Sequence, residues 1–203
     1  MKKLDNLRFA DTGASLYDLA TSYVVACPQC KGRAVITSDS SPNTFRLRCT
    51  SCFHVETPAH WYGGATAFVS VKCRQCYHPL RRSAPWKGTW KKLAIKCDKC
   101  GDQCEYDAHI TYHSFHQGRM TDPVFGLDLW LQREFRGELF WAYNYEHLAL
   151  LRQFVEAKLR ERGISPRNTI RKNSSMVSRL PVFIKKAAHR ADLLKMISKM
   201  QQA

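Results

Sequence analysis

Residues 27–52 read CPQCKGRAVITSDSSPNTFRLRCTSC, and residues 73–100 read CRQCYHPLRRSAPWKGTWKKLAIKCDKC. Each stretch opens and closes with a Cys-x-x-Cys pair, with 18 residues between the pairs of the first stretch and 20 between those of the second. Pairs at this spacing are typical of four-cysteine zinc sites. We expect one site to contain Cys27, Cys30, Cys49 and Cys52, and the other to contain Cys73, Cys76, Cys97 and Cys100.

Two Zn²⁺ ions per chain follow from this arrangement. A structural zinc ion binds four ligands at tetrahedral corners, with zinc–sulfur distances of about 2.3 Å. Each Cys-x-x-Cys turn supplies two sulfurs, and a hairpin brings the second turn back to the first. The spacer between Cys52 and Cys73 is also 20 residues long. Pairing of the two middle turns and cross-braced pairing therefore remain alternatives to consecutive pairing.

Two further groups carry ligand-type side chains but are not expected to bind metal. Cys104, the ninth cysteine, can exchange with Cys97 or Cys100, although a small buried thiol is the simpler interpretation. His109, His113 and His116 lie close together in the sequence, but nothing supplies a fourth ligand at a suitable spacing.

The cysteine-rich region is predicted to contain short strands. Alternating segments lie at AVIT after the first pair, FRLRC before the second and KLAIKC before the fourth. Segments 27–56 and 73–107 repeat one pattern, in which Cys-x-x-Cys opens the unit and a strand followed by Cys-x-x-Cys closes it. We expect two tandem ribbons, each with a short antiparallel hairpin sheet.

The region after residue 123 lacks cysteine and is expected to be helical. Asn144 can cap a helix whose apolar face contains Leu148, Leu151, Val155 and Leu159, with Gly163 as its stop. Pro181 can start a last helix, for which the predicted buried stripe is Ile184, Ala187, Ala188, Ala191, Leu194 and Ile197. The predicted fold class is α+β. Its segments are a lead at 1–26, ribbons at 27–60 and 61–122, and a helical basic domain at 123–203.

The cysteines also bear on the cellular compartment. The opening residues MKKLDNLRFADTG lack the apolar run of a signal peptide, and no stretch approaches the roughly 20 apolar residues of a membrane span. Thiols in Cys-x-x-Cys pairs bind metal in a reducing compartment. The sequence therefore predicts a cytoplasmic protein without a membrane partner.

The chain is strongly basic, with 32 Lys and Arg residues against 17 Asp and Glu residues and a formal charge of +15. Zinc bound by four thiolates carries a charge of −2, so two such sites lower the total to +11. This balance favours a polyanionic partner, and we expect nucleic acid. Solubility or contact with an acidic protein are the alternative explanations.

Two segments are candidates for that contact. The first, from Arg81 to Lys92, interleaves basic residues with tryptophan and is expected to form the hairpin of the second ribbon. Its indoles can stack on unpaired bases or cover the ribbon core. The second extends from Gly163 to the end and has nine basic residues against a single acid. The candidate contacts are Arg81, Arg82, Trp86, Lys87, Trp90, Lys91, Lys92, Arg167, Arg171, Lys172, Arg179, Lys185, Lys186 and Arg190.

Enzymatic activity is not expected. The acidic residues are scattered, and no Gly-rich phosphate loop, nucleophile elbow or His-Glu-x-x-His motif occurs. Four protein ligands per zinc leave no open position for water or a small-molecule substrate. We therefore expect no catalytic residues.

The motifs CPQC, CTSC, LDLWLQ, LFWAYNYEHLALLRQFVEAKLRER and SRLPVFIKKAAHRADLLKMI resemble a bacterial family labelled as zinc ribbons of the transcription factor IIB type. The resemblance covers most of the chain. It implies zinc binding, a bacterial cytoplasmic protein and a ribbon like those of transcription factors. The competing function is a protein adaptor or regulatory subunit, in which the ribbons and the aromatic stretch 139–145 dock on a larger complex. That stretch is otherwise expected to be core.

Overall fold

The computed structural model describes residues 8–38, 44–88, 90–161 and 175–202. The chain forms two compact units, one from Met1–Thr57 together with Leu129–Ala203 and the other from Pro58–Asp128. The lead segment and the first cysteine ribbon thus belong to the same unit as the C-terminal region. This division differs from the four consecutive segments expected from composition, because the contacts that build the first unit join distant parts of the sequence.

The first unit begins with a small sheet that carries the first cysteine ribbon. Strand β1 (Arg8–Ala10) precedes this sheet and is not part of it. The strands of the sheet are β2 (Ser22–Ala26), β3 (Arg33–Ser38), β4 (Phe45–Cys49) and β5 (Val55–Glu56). Strands β2 to β5 pair in chain order and antiparallel. Alternate residues Ala34, Ile36 and Leu47 are fully buried. The strands predicted at AVIT and FRLRC are confirmed as β3 and β4.

The second unit contains seven strands among its described residues. They are β6 (Ala65–Lys72), β7 (Pro79–Pro85), β8 (Lys92–Lys96), β9 (Gln103–Asp107), β10 (His109–Tyr112), β11 (Phe115–His116) and β12 (Arg119–Met120). Strand β6 lies between β10 and β7 in a three-stranded antiparallel sheet, and β8 pairs with β9. The core of this unit includes Val69, Leu80, Leu93, Ile95 and Tyr106. The predicted strand KLAIKC is confirmed as β8.

The chain then completes the first unit with strands and helices. They are β13 (Gln132–Phe135), β14 (Glu138–Trp141), α1 (Tyr145–Glu156), β15 (Leu159–Glu161), α2 (Val182–Lys185) and α3 (Arg190–Gln201). The region after residue 123, expected to be helical, therefore also contains strands, because β13 and β14 form a hairpin. Arg136 and Gly137 both have positive φ, at 54° and 82°, as a two-residue turn of the hairpin type requires.

Helix α1 begins where the sequence predicted and ends earlier. The side chain of Asn144 accepts a hydrogen bond from the His147 amide over 2.8 Å, which confirms the predicted cap. The helix stops at Glu156, because Ala157 has an extended backbone. Leu159, predicted on the buried helix face, is 59% exposed and lies in β15, which pairs parallel to β1. The predicted stop at Gly163 lies outside the described residues.

The last predicted helix is interrupted. Pro181 precedes α2 as expected, but Lys186 has an extended backbone, and a 3-10 turn at Ala187–His189 leads into α3. Because of this interruption, the buried face of α3 does not continue the apolar spacing that begins at Ile184. The buried residues of α3 are Leu193, Ile197 and Met200. The predicted stripe is therefore confirmed at Ile184 and Ile197 and wrong at Ala187, Ala188 and Ala191, which are exposed.

One core connects the lead segment, the β13–β14 hairpin and the three helices. It includes Phe9, Phe140, Leu148, Phe154 and Leu193. The Phe9 ring packs edge-on against Phe154, with 5.4 Å between centroids. Burial of Phe140 supports the core interpretation of the aromatic stretch 139–145. Among the described residues, no helix has the length and apolar content needed to span a membrane.

Candidate metal centres and basic surface

The four Cys-x-x-Cys turns share one backbone geometry. The amide of each first cysteine donates to the carbonyl oxygen five residues later, over 2.7 to 2.9 Å, in the pairs Cys27–Gly32, Cys49–His54, Cys73–His78 and Cys97–Asp102. The residue after each second cysteine has a positive φ, which is 60° at Lys31, 59° at Phe53, 58° at Tyr77 and 75° at Gly101. This left-handed residue reverses the chain and closes the turn.

The first cysteine group belongs to the four-stranded sheet of the first unit. The turn with Cys27 and Cys30 joins β2 to β3, and the turn with Cys49 and Cys52 joins β4 to β5. The Sγ atoms of Cys27 and Cys52 are 3.7 Å apart, and those of Cys30 and Cys49 are 3.5 Å apart. All four sulfurs lie within 4.8 Å of one another and can hold a metal ion.

The second cysteine group repeats this arrangement in the second unit. One turn joins β6 to β7 and the other joins β8 to β9. Distances of 3.6 Å separate the Sγ atoms of Cys73 and Cys100 and those of Cys76 and Cys97. The consecutive pairing of the turns is therefore the one that the structure adopts, and neither middle pairing nor cross-braced pairing occurs in these two groups.

Backbone amides stabilise the thiolate form at both groups. The Cys52 amide donates to Cys49 Sγ over 3.4 Å and is the main cause that lowers the pKa of Cys49 to about 6. The Cys76 and Gln75 amides lower the pKa of Cys73 to about 7. At Cys52 and Cys100 the amides of His54 and Asp102 lower the pKa, but desolvation and hydrogen bonds with the neighbouring cysteines together raise it to about 12. The thiolate, which is the form of cysteine that binds metal, is therefore favoured at Cys49 and Cys73.

The remaining ligand-type side chains stay outside the two groups. Cys104 packs half-buried against the core of the second unit, and its thiol donates to the Asp102 carboxylate over 3.3 Å. This hydrogen bond is the main reason that the pKa of Cys104 is raised. His113 Nε2 lies 3.0 Å from Thr66 Oγ1. Within the described residues, His109, His113 and His116 join no cluster of three or more ligand side chains.

The segment from Arg81 to Lys92 does not form the predicted hairpin tip. The Cys73–Cys76 turn already connects β6 to β7, so Arg81 and Arg82 lie within β7, opposite Ser70 and Val69 of β6. The rest of the segment leads to β8. Arg82 lies on the core side of the sheet and donates to the Ala94 carbonyl oxygen. The Arg82 side chain is nevertheless exposed, and its assignment as a nucleic-acid contact stays a prediction.

The two tryptophans of this segment pack within the second unit. Trp86 Nε1 donates to the Trp90 carbonyl oxygen over 2.6 Å, and the Trp86 ring lies edge-on to Tyr112 at 5.6 Å. Trp90 packs against the core. The sequence left open whether these indoles cover the core or stack on bases. The structure supports core packing for Trp90, and it shows Trp86 in contact with Trp90 and Tyr112. Lys87, Lys91 and Lys92 are exposed, and Lys92 lies opposite Asp107 of β9.

Two predicted contacts in the C-terminal region have structural roles. Arg190 donates to the carbonyl oxygens of Val155 and Ala157, over 2.9 and 3.2 Å, and so satisfies the end of α1. Lys185 Nζ donates to the Ser178 carbonyl oxygen over 2.9 Å. Both side chains thus bond to the fold, and their assignment as nucleic-acid contacts stays a prediction. Arg179 and Lys186 are exposed, whereas Arg167, Arg171 and Lys172 lie outside the described residues.

The structure also presents a basic surface that sequence reasoning missed. Alternation along β6 buries Ala67 and Val69 and exposes Phe68, Ser70 and Lys72. Pairing places Ser83 and His109 on either side of Phe68, and places Arg81 opposite Ser70. We name the exposed residues Phe68, Ser70, Lys72, Arg81, Ser83, His109 and Thr111 the sheet face. The alternation in ATAFVSVK could have indicated it.

Comparisons of this chain with protein-family models, curated proteins and solved structures found no match. The chemistry of the described residues therefore carries the functional inference. They offer two four-sulfur metal sites and a basic sheet face in the second unit.

Proposed function

We propose that this chain is a non-enzymatic zinc-ribbon protein that holds two Zn²⁺ ions and binds nucleic acid through the sheet face. The zinc assignment is supported by the sulfur geometry. A tetrahedron with zinc–sulfur bonds of about 2.3 Å has edges of about 3.8 Å. The four measured sulfur pairs, at 3.5 to 3.7 Å, approach this value. Tetrahedral sulfur ligation suits zinc, and a complete shell leaves no position for substrate.

The observation that carries the proposed binding is the charge of the sheet face. Strands β6, β7 and β10 read ATAFVSVK, PLRRSAP and HITY, and they contain no acidic residue. Lys72 and Arg81 are exposed on the same face as the Phe68 ring, which is 43% exposed. Exposed cations on strands that have no carboxylates can contact phosphates, and hydroxyl groups such as those of Ser70 and Ser83 can accept or donate hydrogen bonds there.

Strand β8 offers a contrast within the same unit. Its exposed residues Lys92 and Lys96 lie on a face to which β9 adds Glu105 and Asp107, with Lys92 directly opposite Asp107. These carboxylates reduce the positive potential of that face, although β8 contains two lysines and β6, β7 and β10 together contain one. Position in the sheets, rather than basic content, distinguishes the two surfaces.

Binding of the zinc-loaded protein to labelled single-stranded and duplex DNA and RNA, measured as a function of salt, tests the proposal. We expect the double variant Lys72→Gln/Arg81→Gln to weaken binding to every sequence alike. Its salt slope should fall by about two units, roughly one for each lost phosphate contact. The matched control Lys92→Gln/Lys96→Gln removes the same charge and should change the slope by less than half as much.

Absence of binding to any DNA or RNA at about 50 mM salt, where phosphate contacts are least screened, would contradict the proposal. Retention of a protein partner from native cells through a high-salt wash, together with that absence, would favour the adaptor function. Equal losses in the test and control variants would show that the sheet face is not the contact surface.

A further inference from the structure

The turns of the two cysteine groups require a backbone conformation that three of their residues, Lys31, Phe53 and Tyr77, adopt unfavourably. Four residues share the left-handed region after the second cysteine of each turn: Lys31, Phe53, Tyr77 and Gly101. Glycine is suited to this region because it has no Cβ, whereas bulky residues are rarely found there. Gly101 shows that the turn is compatible with glycine. Phe53 and Tyr77 therefore occupy positions at which the local backbone favours another residue.

Core packing does not account for these aromatic rings. The side chain of Phe53 is 81% exposed and that of Tyr77 is 74% exposed. Neither residue belongs to the buried clusters of its unit. Each residue thus combines an unfavourable backbone conformation with an exposed apolar ring. Burial of the ring does not offset the cost of the backbone conformation. Residues held in such conformations cluster at binding and functional sites.

The segments that contain the two rings are rich in basic residues, although Glu56, which pairs with His54, lies three residues after Phe53. Residues 72–100, which contain Tyr77, have nine Lys and Arg residues and only one acidic residue, Asp98. Around the first site, Lys31 and Arg48 are exposed. A cation beside an exposed aromatic ring fits a polyanion that also presents flat apolar groups. Single-stranded nucleic acid has both features, because its phosphates are charged and its unpaired bases are free to stack.

We propose that Phe53 and Tyr77 are stacking platforms, each for one unpaired base of single-stranded nucleic acid. This inference rests on the proposed function and makes it more specific. A duplex keeps its base faces stacked inside the helix, so the rings add affinity for single strands alone. The cationic side chains supply the part of the affinity that depends on salt, and the rings supply a part that does not.

The test uses the full-length, zinc-loaded chain with a labelled 12-nucleotide oligothymidine and a duplex of the same length at about 50 mM salt. The double variant Phe53→Asn/Tyr77→Asn removes both rings, and asparagine tolerates the left-handed region. We expect its affinity for the single strand to fall about tenfold or more, since stacking contributes strongly per base. Duplex affinity and the salt slope should not change. In a chain that retains Phe53, Tyr77→Trp should bind the single strand as tightly as the unmodified chain, because tryptophan also stacks on bases.

Two controls separate stacking from other roles. Tyr17→Asn removes an aromatic ring that is 88% exposed but lies outside the cysteine turns, and it should leave single-strand affinity unchanged. The melting temperature of Phe53→Asn/Tyr77→Asn should be equal to or a few degrees above that of the unmodified chain, because backbone strain is relieved. A lower melting temperature with loss of zinc would assign the rings a structural role and overturn the inference.

The inference and the proposed function can fail separately. If the unmodified chain binds single strands and the double variant binds them equally well, the stacking inference is wrong and the proposed function stands. If the unmodified chain binds no nucleic acid, both are wrong. If the variant instead loses a protein partner that the unmodified chain retains, the rings are protein contacts and the inference is overturned.

Discussion

The side-chain amide of Asn144 donates a hydrogen bond to the backbone carbonyl oxygen of Leu19 over 2.8 Å. The same amide donates to the Ser22 carbonyl oxygen over 3.0 Å, while its oxygen accepts from the His147 amide. Asn144 is buried, with 3% of its surface exposed. One side chain therefore caps α1 and also hydrogen-bonds the chain at the start of β2 to the start of the helix.

Replacement of Asn144 tests this connection. Asn144→Ala removes the cap and leaves two partly buried carbonyl oxygens without this donor, so the free energy of unfolding should fall by about 2 to 4 kcal/mol. Asn144→Ser retains a cap acceptor and should recover about 1 kcal/mol of that loss. Urea unfolding of the zinc-loaded protein, followed by circular dichroism, measures both. A loss below about 0.5 kcal/mol in the alanine variant would contradict the assigned role.

Metal content tests the two cysteine groups. The purified protein should contain two zinc ions per chain, because each group supplies four thiolates. Cys49→Ser should remove one ion, whereas Cys104→Ser should remove none, since that thiol bonds to Asp102 outside the groups. Elemental analysis together with protein quantification gives the ratio. Loss of zinc from the Cys104 variant would show that the ninth cysteine is a ligand.

The two metal sites should differ in their effect on the helices. The amide of Val24, on β2 of the first ribbon, donates to the Tyr143 carbonyl oxygen over 2.7 Å, and Arg33 donates to the Tyr145 hydroxyl over 3.3 Å. Cys49→Ser should therefore lower the temperature at which the helical signal is lost, because structural zinc contributes directly to folding energy.

The matched variant Cys97→Ser removes a ligand from the cysteine group of the second unit. Every described residue of the core that holds the helices belongs to the first unit. Its helical signal should melt at the unmodified temperature. Thermal melts followed by circular dichroism at 222 nm measure the temperature at which each variant loses its helical signal. Equal shifts would mean that the two units unfold together.

His147 should make the first unit sensitive to acid. Burial lowers its pKa to about 4 in the folded chain, whereas an unfolded histidine titrates near 6.5. The unfolded state therefore binds a proton first as the pH falls. The contribution of the neutral His147 to the free energy of unfolding is fully present above about pH 6.5. It decreases by up to about 3 kcal/mol as the pH falls towards 4.

The non-titrating variant His147→Gln isolates this effect. Its free energy of unfolding should depend less on pH than that of the unmodified chain between about pH 6.5 and 4.5. Zinc content must be measured in the same samples, because acid also protonates thiolates and releases metal. Identical pH profiles at equal zinc content would show that His147 is not the titrating group.

The elements that were predicted correctly are those that depend on neighbours in the sequence. A Cys-x-x-Cys turn brings its own two sulfurs together, and the alternation in AVIT or KLAIKC sets which residues of a strand are buried. Asn144 caps α1 through the amide three residues later. In each case the interacting groups are a few residues apart, so the pattern of residue types contains the information.

The sequence by itself determined which eight cysteines form the two groups of four, three of the strands and the start of α1. Tertiary contacts decided the rest: that β15 pairs with β1 and that the Arg190 side chain bonds to the end of α1. Leu159 would fit the apolar spacing of a longer helix, but that spacing cannot show which backbone groups have partners elsewhere in the chain. The same limit applies to charge, because Arg81 and Arg82 are neighbours in the sequence and β7 directs them to opposite sides of the sheet.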